Sequence, residues 1–318
     1  MKFISENEIN NSLDWSTAIN VLRDRHNKPR CHLENSLLNE PDRFILTRTA
    51  NVADLAAGVK VAMVKPDKTS WNPPQKAEQA IFILIDCSNW TIKCILDGVP
   101  ITAWKTAADS ALGSSILSRE NSKTMLMVGA GHISRHLIEA HLCARQQIQT
   151  VQIWNRTHEK AVQLSESLSK LNNRVNFIAV RDLADAASNA DIICCATNSN
   201  KPLILGDWIT PGTHIDLVGA FNSTMREVDD QLICNARVFV NCRDTTIDHC
   251  GDLVIPIKSG VLNREAIQAD LYEMVKWPQY LRKKNETTVY KNGGGGHIDM
   301  MIAEHVYQTL TTSTNVNT

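Results

Sequence analysis

The arrangement of apolar residues along the chain changes near residue 105. Beyond that point, short apolar segments alternate with segments whose apolar residues recur at helical spacing. The segments that predict strands are TMLMVGA (124–130), TVQIWN (150–155), RVNFIAV (174–180), ADIICCA (190–196), THIDLVG (213–219) and ARVFVNC (236–242). The segments that predict helices are TAADSALGSSILS (106–118), ISRHLIEAHLCAR (133–145), THEKAVQLSESLSK (157–170) and IDMMIAEHVYQTL (298–310). Continuous apolar strands separated by helices predict an α/β fold with a parallel sheet covered on both faces.

The first 105 residues have a different pattern, which becomes rich in strands towards its end. AIFILID (80–86), WTIKCIL (90–96) and VPITAW (99–104) predict three strands. Asp97-Gly98 between the last two predicts a tight turn. A partner subunit can extend such a meander, so we expect a homodimer.

Composition and charge narrow the class of protein. The chain has 318 residues, of which 43% are hydrophobic and 21% charged, as in a globular protein of two domains. A net charge of −1 provides no basic surface for nucleic acid. The longest apolar run, AIFILI (80–85), is too short to span a bilayer. We therefore expect neither a nucleic-acid partner nor a membrane partner.

The cysteines and the first residues indicate a compartment. The opening MKFISENEIN lacks the apolar core of a signal peptide. Nine cysteines without an export signal are typical of reduced thiols in a cytoplasmic protein. No two of them have CxxC spacing, so we expect no metal site.

A glycine motif follows the strand TMLMV. Gly129-Ala130-Gly131-His132-Ile133-Ser134 has the spacing G-x-G-x-x-S and opens a helix. Gly129 permits a tight turn, Gly131 permits close approach of a pyrophosphate, and the helix N-terminus offers free N–H groups. The motif therefore predicts a Rossmann dinucleotide-binding domain.

The end of the next strand predicts which dinucleotide binds. An NAD site usually has an acid here for the ribose hydroxyls, whereas this chain has Asn155, Arg156 and Thr157. Asparagine does not repel a 2′-phosphate, and arginine can form a charge-assisted pair with it. We therefore expect NADPH, with weaker use of NADH. Thr197 and Asn198 follow a later strand, at the edge where the nicotinamide ribose is expected.

Several segments together resemble the ornithine cyclodeaminase/μ-crystallin family. They are TAWKTAADSALGS, MLMVGAGHISRHL, IWNRT, PGTHIDLVGAF followed by REVDD, and a final glycine turn that ends at Asp299. The resemblance implies a central Rossmann domain over residues 106–284. It also implies a mixed α/β substrate and dimerisation domain over residues 1–105 and 285–318, completed by the C-terminal helix. Members of the family bind NAD(P)(H) and act on small amino or imino acids.

The glycine turn KNGGGGHID (291–299) corresponds to a K-S-x-G-x-A-x-x-D pattern of this family. Backbone that lies close to a nicotinamide or a phosphate has reason to lack side chains. We therefore expect this turn to lie at the cofactor, with His297 as a departure from the pattern. The predicted cofactor contacts are Thr106, Gly129, Gly131, His132, Ile133, Asn155, Arg156, Thr157, Thr197, Asn198, Val218, Gly294, Gly295 and His297.

The resemblance also implies residues that bind the substrate. Arg43, with Arg48 as a near competitor, and Lys60 match cations that bind the substrate carboxylate. Lys105 stands at a position that is usually arginine, so it can also donate a proton. Lys60, Lys105 and Asp299 are the predicted catalytic residues. Phe221 replaces the aspartate that cyclodeaminases carry, and it is expected to line the substrate pocket.

These residues predict an NADPH-dependent reductase of cyclic imines that carry a 2-carboxylate. The preferred reaction is Δ1-pyrroline-2-carboxylate to L-proline, with Δ1-piperideine-2-carboxylate to L-pipecolate as a second. An amino-acid dehydrogenase of the alanine or opine type shares every motif. An ornithine cyclodeaminase and an NADPH-loaded small-molecule binding protein are further alternatives.

Overall fold

The computed structural model describes residues 1–52, 56–280 and 282–315 of the chain. The strands are β1 Lys2–Ile4, β2 His32–Glu40, β3 Arg43–Val52, β4 Ala56–Val64, β5 Glu78–Asp86, β6 Thr91–Asp97, β7 Thr124–Val128, β8 Thr150–Trp154, β9 Asn176–Ala179, β10 Ile192–Cys195, β11 His214–Leu217, β12 Arg237–Val240 and β13 Thr288–Lys291. The helices are α1 Glu6–Asn11, α2 Trp15–His26, α3 Gly98–Leu117, α4 Ser134–Ala144, α5 His158–Ser169, α6 Leu183–Ser188, α7 Asp230–Asn235, α8 Arg243–Thr246, α9 Gly251–Lys258, α10 Leu271–Met274 and α11 Gly296–Asn315. Short 3-10 helices span Pro66–Ser70, Gly206–Trp208 and Arg264–Ala266.

The backbone divides into two compact units. The first unit comprises Met1–Lys105 and Gly295–Thr318, and the second comprises Thr106–Gly294. The sequence placed the second boundary between residues 284 and 285, which is ten residues too early. The reason is β13, a short strand of the second unit that the apolar pattern did not reveal. Residues 316–318 of the predicted first domain lie outside the described part of the chain.

The first unit is built on a six-stranded sheet in the order β1-β6-β5-β4-β3-β2. The β1–β6 pair is parallel, and the other pairs are antiparallel. Helix α11 packs against β3, β4, β5 and α2. On β2, β3 and β4, the apolar side chains of Leu37, Leu38, Ile45 and Met63 stay exposed. This exposed surface suits the expected homodimer, which stays a prediction.

The prediction of a third strand in the meander is wrong. Residues 99–104 form the first turns of α3, which begins at Gly98. The Asp97 side chain accepts a hydrogen bond from the Val99 backbone N–H (3.0 Å), so Asp97-Gly98 starts a helix where the sequence suggested a hairpin turn. Gly98 also lies against β5, because a Cβ atom at this position would be 2.7 Å from the Cβ of Ala80.

The second unit contains the expected parallel sheet, in the order β12-β13-β11-β10-β7-β8-β9. All six of its neighbouring strand pairs are parallel. Strand β10 is fully buried, and β7 is buried from residue 125 to 128, which explains their continuous apolar sequence. The predicted α/β fold with a central Rossmann sheet is confirmed. Among the described residues, no helix has both the length and the apolar character needed to cross a membrane.

Candidate active site

The glycine motif forms the loop between β7 and α4. Gly129 has φ 114°, and a Cβ atom there would lie 2.6 Å from the Ala196 carbonyl oxygen, so only glycine fits. A Cβ atom on Gly131 would meet no heavy atom within 4 Å. The backbone at Gly131 therefore faces open space at the start of a helix, where a pyrophosphate can approach.

Asn155 connects this loop to the loop after β8. Its side-chain oxygen accepts a hydrogen bond from the Ala130 N–H (3.1 Å), and its amide nitrogen donates to the Thr157 carbonyl oxygen (2.8 Å). A carboxylate could accept from Ala130 but could not donate to Thr157. The asparagine thus orders two loops in addition to removing a negative charge.

A cavity of about 300 Å³ lies between these two loops. Its lining includes Gly129, Gly131, Asn155, Arg156, Thr157, Thr197 and Asn198, as the sequence predicted, and also Lys160 and Ser199. The sequence reasoning missed Lys160, although its position four residues after Arg156 could have revealed it. Two cations beside the start of α5 fit an anionic group such as a phosphate. The cavity therefore has the chemistry of a dinucleotide site.

A buried group of charges lies beside the cavity. Oε1 of Glu227 accepts hydrogen bonds from the backbone N–H (2.7 Å) and the hydroxyl (2.8 Å) of Thr197. Asp252 accepts from the Glu227 N–H (2.7 Å), and its other oxygen lies 3.1 Å from Lys291 Nζ, which also donates to the Gly219 carbonyl. The sequence reasoning missed these charges, because the three residues lie far apart in the chain and no local pattern shows that they meet.

The glycine turn contains two residues in the left-handed region, Gly294 with φ 68° and Gly295 with φ 153°. The Gly294 carbonyl oxygen accepts from the Asn241 side chain (2.9 Å) and the Thr245 hydroxyl (2.8 Å). Its N–H donates to the Asn292 side chain (3.0 Å). The turn is therefore held at a fixed position and is no slack linker. Its contact with a cofactor stays a prediction.

The predicted catalytic residues meet inside the first unit. Lys60 Nζ lies 3.2 Å from Asp299 Oδ1 and 2.5 Å from the hydroxyl of Thr102. Lys105 Nζ lies 3.4 Å from Asp299 Oδ2. All three charged side chains are at most 5% exposed. We call Lys60, Lys105, Asp299 and Arg48 the substrate cluster.

Electrostatics keep Asp299 ionised. Burial alone would raise the pKa of its carboxyl group, but the charges of Lys105, Lys60 and Arg48 outweigh this effect and lower it. Arg48 lies directly across the β3–β4 pair from Lys60. Arg48 Nε and Asp299 Oδ2 are buried without a hydrogen-bond partner among the described residues. With three cations and one anion, the cluster suits a small anionic ligand.

Arg43 does not belong to this cluster, and Arg48 takes the place that the sequence gave to Arg43. Arg43 begins β3, its side chain is 54% exposed, and it pairs with Glu40. It lies five residues from Arg48, about 17 Å along a strand and on the opposite face. Arg43 and Arg48 are an odd number of residues apart on one strand, so their side chains lie on opposite faces. Because Arg48 pairs with Lys60 across the two strands, Arg48 is the arginine of the cluster.

His297 lies in the first unit, although the sequence grouped it with the cofactor contacts. Its ring packs edge-on against His26, with ring centroids 5.6 Å apart. Burial lowers its pKa well below the usual value, and His26 and Lys105 lower it further. His297 is thus a neutral imidazole beside the substrate cluster, and its contact with the cofactor stays a prediction.

Phe221 and four predicted cofactor contacts lie in the second unit. Phe221 follows β11, is 53% exposed, and comes directly after Ala220, which has φ 48°. His132 is exposed, Ile133 is the N-cap residue before α4, Val218 follows β11, and the Thr106 carbonyl accepts from Asn292 (3.0 Å). The contacts of the described residues do not show whether these five side chains bind a ligand. Their roles in binding the substrate or the cofactor stay predictions.

One further group of potential ligands is buried in the second unit. His141, Cys194 and Asp216 have side-chain atoms within 4.8 Å of one another. The Cys194 thiol donates to one oxygen of Asp216 (3.1 Å), and the hydroxyl of Ser110 donates to the other (3.0 Å). These hydrogen bonds already explain the group as a polar cluster of the core.

Comparisons with known proteins agree with this architecture. The model of the ornithine cyclodeaminase/mu-crystallin family matches residues 29–314. The chain belongs to this family. The resemblance drawn from the motifs is thereby confirmed. A Δ1-pyrroline-2-carboxylate reductase of Paracoccus denitrificans (strain Pd 1222) is 36% identical over 311 residues, covering 97% of each chain.

Two solved structures share the fold over nearly the whole chain. The Δ1-pyrroline-2-carboxylate reductase of Thermococcus litoralis, in complex with NADH and L-proline, superposes with a TM-score of 0.91 at 24% identity, covering 99% of this chain and 98% of that one. An archaeal alanine dehydrogenase with bound NAD has a TM-score of 0.89 at 20% identity, covering 99% and 97%. At these identities the likeness establishes the fold alone.

Proposed function

We propose that this protein is an NADPH-dependent reductase of cyclic imines that carry a 2-carboxylate. Δ1-Pyrroline-2-carboxylate, giving L-proline, is the preferred substrate, and Δ1-piperideine-2-carboxylate, giving L-pipecolate, is a second. The observation that carries the proposal is the substrate cluster, in which two buried lysines pair with the Asp299 carboxylate and Arg48 adds a third positive charge. A small anion is the ligand that such a group accepts at least cost.

The class of activity agrees with the relatives. The relative from Paracoccus denitrificans, at 36% identity, is named as a Δ1-pyrroline-2-carboxylate reductase. The structure from Thermococcus litoralis holds NADH and L-proline. The predicted class, an oxidoreductase that acts on C=N bonds with a nicotinamide dinucleotide, is thereby confirmed. The individual imine and the preference for NADPH belong to the proposal.

In the proposed mechanism, Arg48 and Lys60 hold the substrate carboxylate. Arg48 Nε is a buried donor that has no acceptor among the described residues, and Lys60 lies opposite it on β4. Thr102 and Asp299 fix the ammonium group of Lys60 through hydrogen bonds. A carboxylate here would satisfy the free donor and balance the excess positive charge.

The imine nitrogen needs a proton, and the structure narrows its source. Asp299 is a poor acid, because the neighbouring cations lower its pKa. Asp299 can instead orient the ammonium groups of Lys60 and Lys105, which lie on its two oxygens. Of the three predicted acids, the two lysines therefore remain as proton donors.

When bound, the dinucleotide supplies a hydride for the iminium carbon. The side chains of the protein position the substrate. They hold its carboxylate at one end of the ring, and an ammonium group contacts the imine nitrogen. Holding the reactants near about 3–3.5 Å provides much of the rate increase, because it removes the entropy cost of their encounter. A cyclic imine is itself an electrophile, so this mechanism uses no nucleophilic side chain.

The preference for NADPH is supported by the cavity of the second unit. Arg156, Thr157 and Lys160 lie together at its edge, beside the first turn of α5. Neither Asn155 nor these three residues carries a negative charge that would repel a 2′-phosphate. Arginine and lysine together are a common phosphate site.

One panel of assays tests the proposal. The loss of NADPH absorbance is followed with each of the two cyclic imines, and separately with pyruvate plus ammonia. We expect turnover with both imines and none that depends on added amine. Turnover only with pyruvate and ammonia would establish the alternative amino-acid dehydrogenase. Tight NADPH binding without turnover of any substrate would establish a binding protein.

A further inference from the structure

Thr197 is fixed at the edge of the dinucleotide cavity by one carboxyl group. Both its N–H and its hydroxyl donate to Oε1 of Glu227, at 2.7 and 2.8 Å. Thr197 follows β10, at the carboxyl end of the parallel sheet, where doubly wound folds bind their ligands. The position of this part of the cavity therefore depends on a side chain that lies behind it.

The same carboxyl group lies against the next loop. A Cβ atom on Gly219, which follows β11, would lie 2.4 Å from Glu227 Oε1 and 2.3 Å from the Thr197 carbonyl oxygen. The Gly219 carbonyl accepts from Lys291. Glu227 thus joins two loops that leave adjacent strands, and we call Glu227 with Thr197 and Gly219 the carboxyl clamp.

The two oxygens of Glu227 have opposite surroundings. Oε1 accepts two hydrogen bonds, which favours the ionised form, whereas Oε2 is buried without a partner among the described residues, which disfavours it. Burial raises the pKa of this carboxyl group to about 7, with Lys291 lowering it and Asp252 raising it. Both protonation states are therefore accessible near neutral pH.

We propose that Glu227 is a pH-responsive positioning residue, whose carboxylate form holds Thr197 in place and thereby tightens dinucleotide binding. The inference rests on the proposed cofactor site and goes beyond it, because it assigns the site a built-in dependence on pH. The physical reason is that hydrogen bonds to an ionised acceptor are roughly twice as strong as those to a neutral one. A proton on Oε2 leaves Oε1 as a weaker acceptor for both Thr197 donors.

Three of the groups that face Glu227, namely Lys291, Cys195 and Cys194, keep one charge state near neutral pH. Lys291 on β13 stays cationic: burial would lower its pKa, but Asp252, Cys250 and Glu227 raise it. Burial raises the pKa of the Cys195 thiol on β10 well above its usual value, so this group stays neutral. The pKa of the neighbouring Cys194 thiol is also raised well above its usual value by burial. Asp252 on α9 remains paired with Lys291. A titration of the clamp between about pH 6 and 8 is therefore assigned to Glu227.

The test measures the Kd of NADH, followed by its fluorescence, between about pH 6 and 8. NADH is the probe because the 2′-phosphate of NADPH titrates near pH 6, as phosphate monoesters do, and would mask the effect. We expect the Kd for the unmutated protein to fall about three- to tenfold as pH rises, with a midpoint near 7. Glu227→Gln keeps the acceptor oxygen but has no proton to lose, so its Kd should stay flat.

Glu286→Gln is the matched control. Glu286 is another mostly buried carboxylate of the second unit, bound to Arg237 and Tyr280, and its pKa is lowered. This control should retain the full pH dependence. NADH binding that is independent of pH, or equally dependent on pH in Glu227→Gln, would overturn the inference and leave the cofactor site standing. No NADH binding at any pH would overturn the cofactor proposal and this inference together.

Discussion

Individual side chains decide what the substrate cluster can hold. Lys60 and Asp299 are 239 residues apart in sequence, yet they form a buried ion pair at 3.2 Å. Lys105 adds a second cation on the other carboxylate oxygen. Because a buried charge without a partner is costly, each of these residues depends on the others and on the ligand.

At this scale, we expect Lys60→Ala to lower kcat/KM for the imine more than 10²-fold while Kd for NADPH changes little. The substrate carboxylate would lose a buried partner, a loss of about 2–5 kcal/mol. Steady-state kinetics and NADPH titration check this. Lys76→Ala, at an exposed lysine of the same unit, should leave both values unchanged. A parallel collapse of NADPH binding would show that Lys60 has a structural role.

Lys105→Arg separates two roles of Lys105. Arginine keeps the positive charge but does not release its proton in proteins. If Lys105 donates the proton, kcat should fall more than about tenfold while KM for the imine stays within about threefold. Unchanged kcat would leave Lys60 as the proton donor.

Phe221 leads us to expect no conversion of ornithine to proline. Ring closure with loss of ammonia requires proton transfer at the amines, which phenylalanine cannot perform. Incubation with ornithine and NAD, followed by measurement of ammonia, checks this beside Phe221→Asp. Ammonia release by the unmutated protein would contradict the reductase proposal and support the cyclodeaminase.

At the scale of elements, the apolar pattern predicts most strands of the second unit but only some of those in the first, where it finds β5 and β6. Strands of the parallel sheet are buried on both faces, so their sequences are continuously apolar and predict strands correctly. The exposed side chains of β2 hide its strand pattern. Residues 99–104 are apolar because α3 is buried, and a short apolar run does not distinguish a buried helix from a buried strand.

The residues at the start of α5 are the basis for a prediction about the preference for NADPH over NADH. We expect kcat/KM to favour NADPH over NADH at least about tenfold, which requires only about 1.4 kcal/mol. Arg156→Ala should reduce this ratio mainly through KM for NADPH, and adding Lys160→Ala should reduce it further. Kinetics with both cofactors measure the ratio. Equal use of NADPH and NADH by the unmutated protein would be evidence against the assignment.

For the whole molecule, the buried carboxyl group of Glu227 links stability to pH. Its pKa rises from 4.5 to about 7 on folding, so the folded state binds the proton more tightly. Protonated Glu227 therefore contributes fully to the free energy of unfolding below about pH 4.5. This contribution declines up to about pH 7, by at most about 3 kcal/mol. Thermal unfolding at about pH 5 and 8 should show Tm of Glu227→Gln rising relative to the unmutated protein. The same difference in Tm between the two proteins at both pH values would contradict the expectation.

The sequence by itself determined the features that depend on neighbours along the chain. The strand, the glycine loop and the helix of the dinucleotide motif are contiguous, and their backbone requirements are local, so the sequence alone singles out Gly129 and Asn155, which line one cavity. The tertiary structure alone decided which distant charges meet. The strand register places Arg48, and not Arg43, opposite Lys60. Folding brings Glu227 next to Thr197 and Lys60 next to Asp299. The physical reason is that burial and pairing of charges arise from packing between segments far apart in the chain, which a local pattern does not encode.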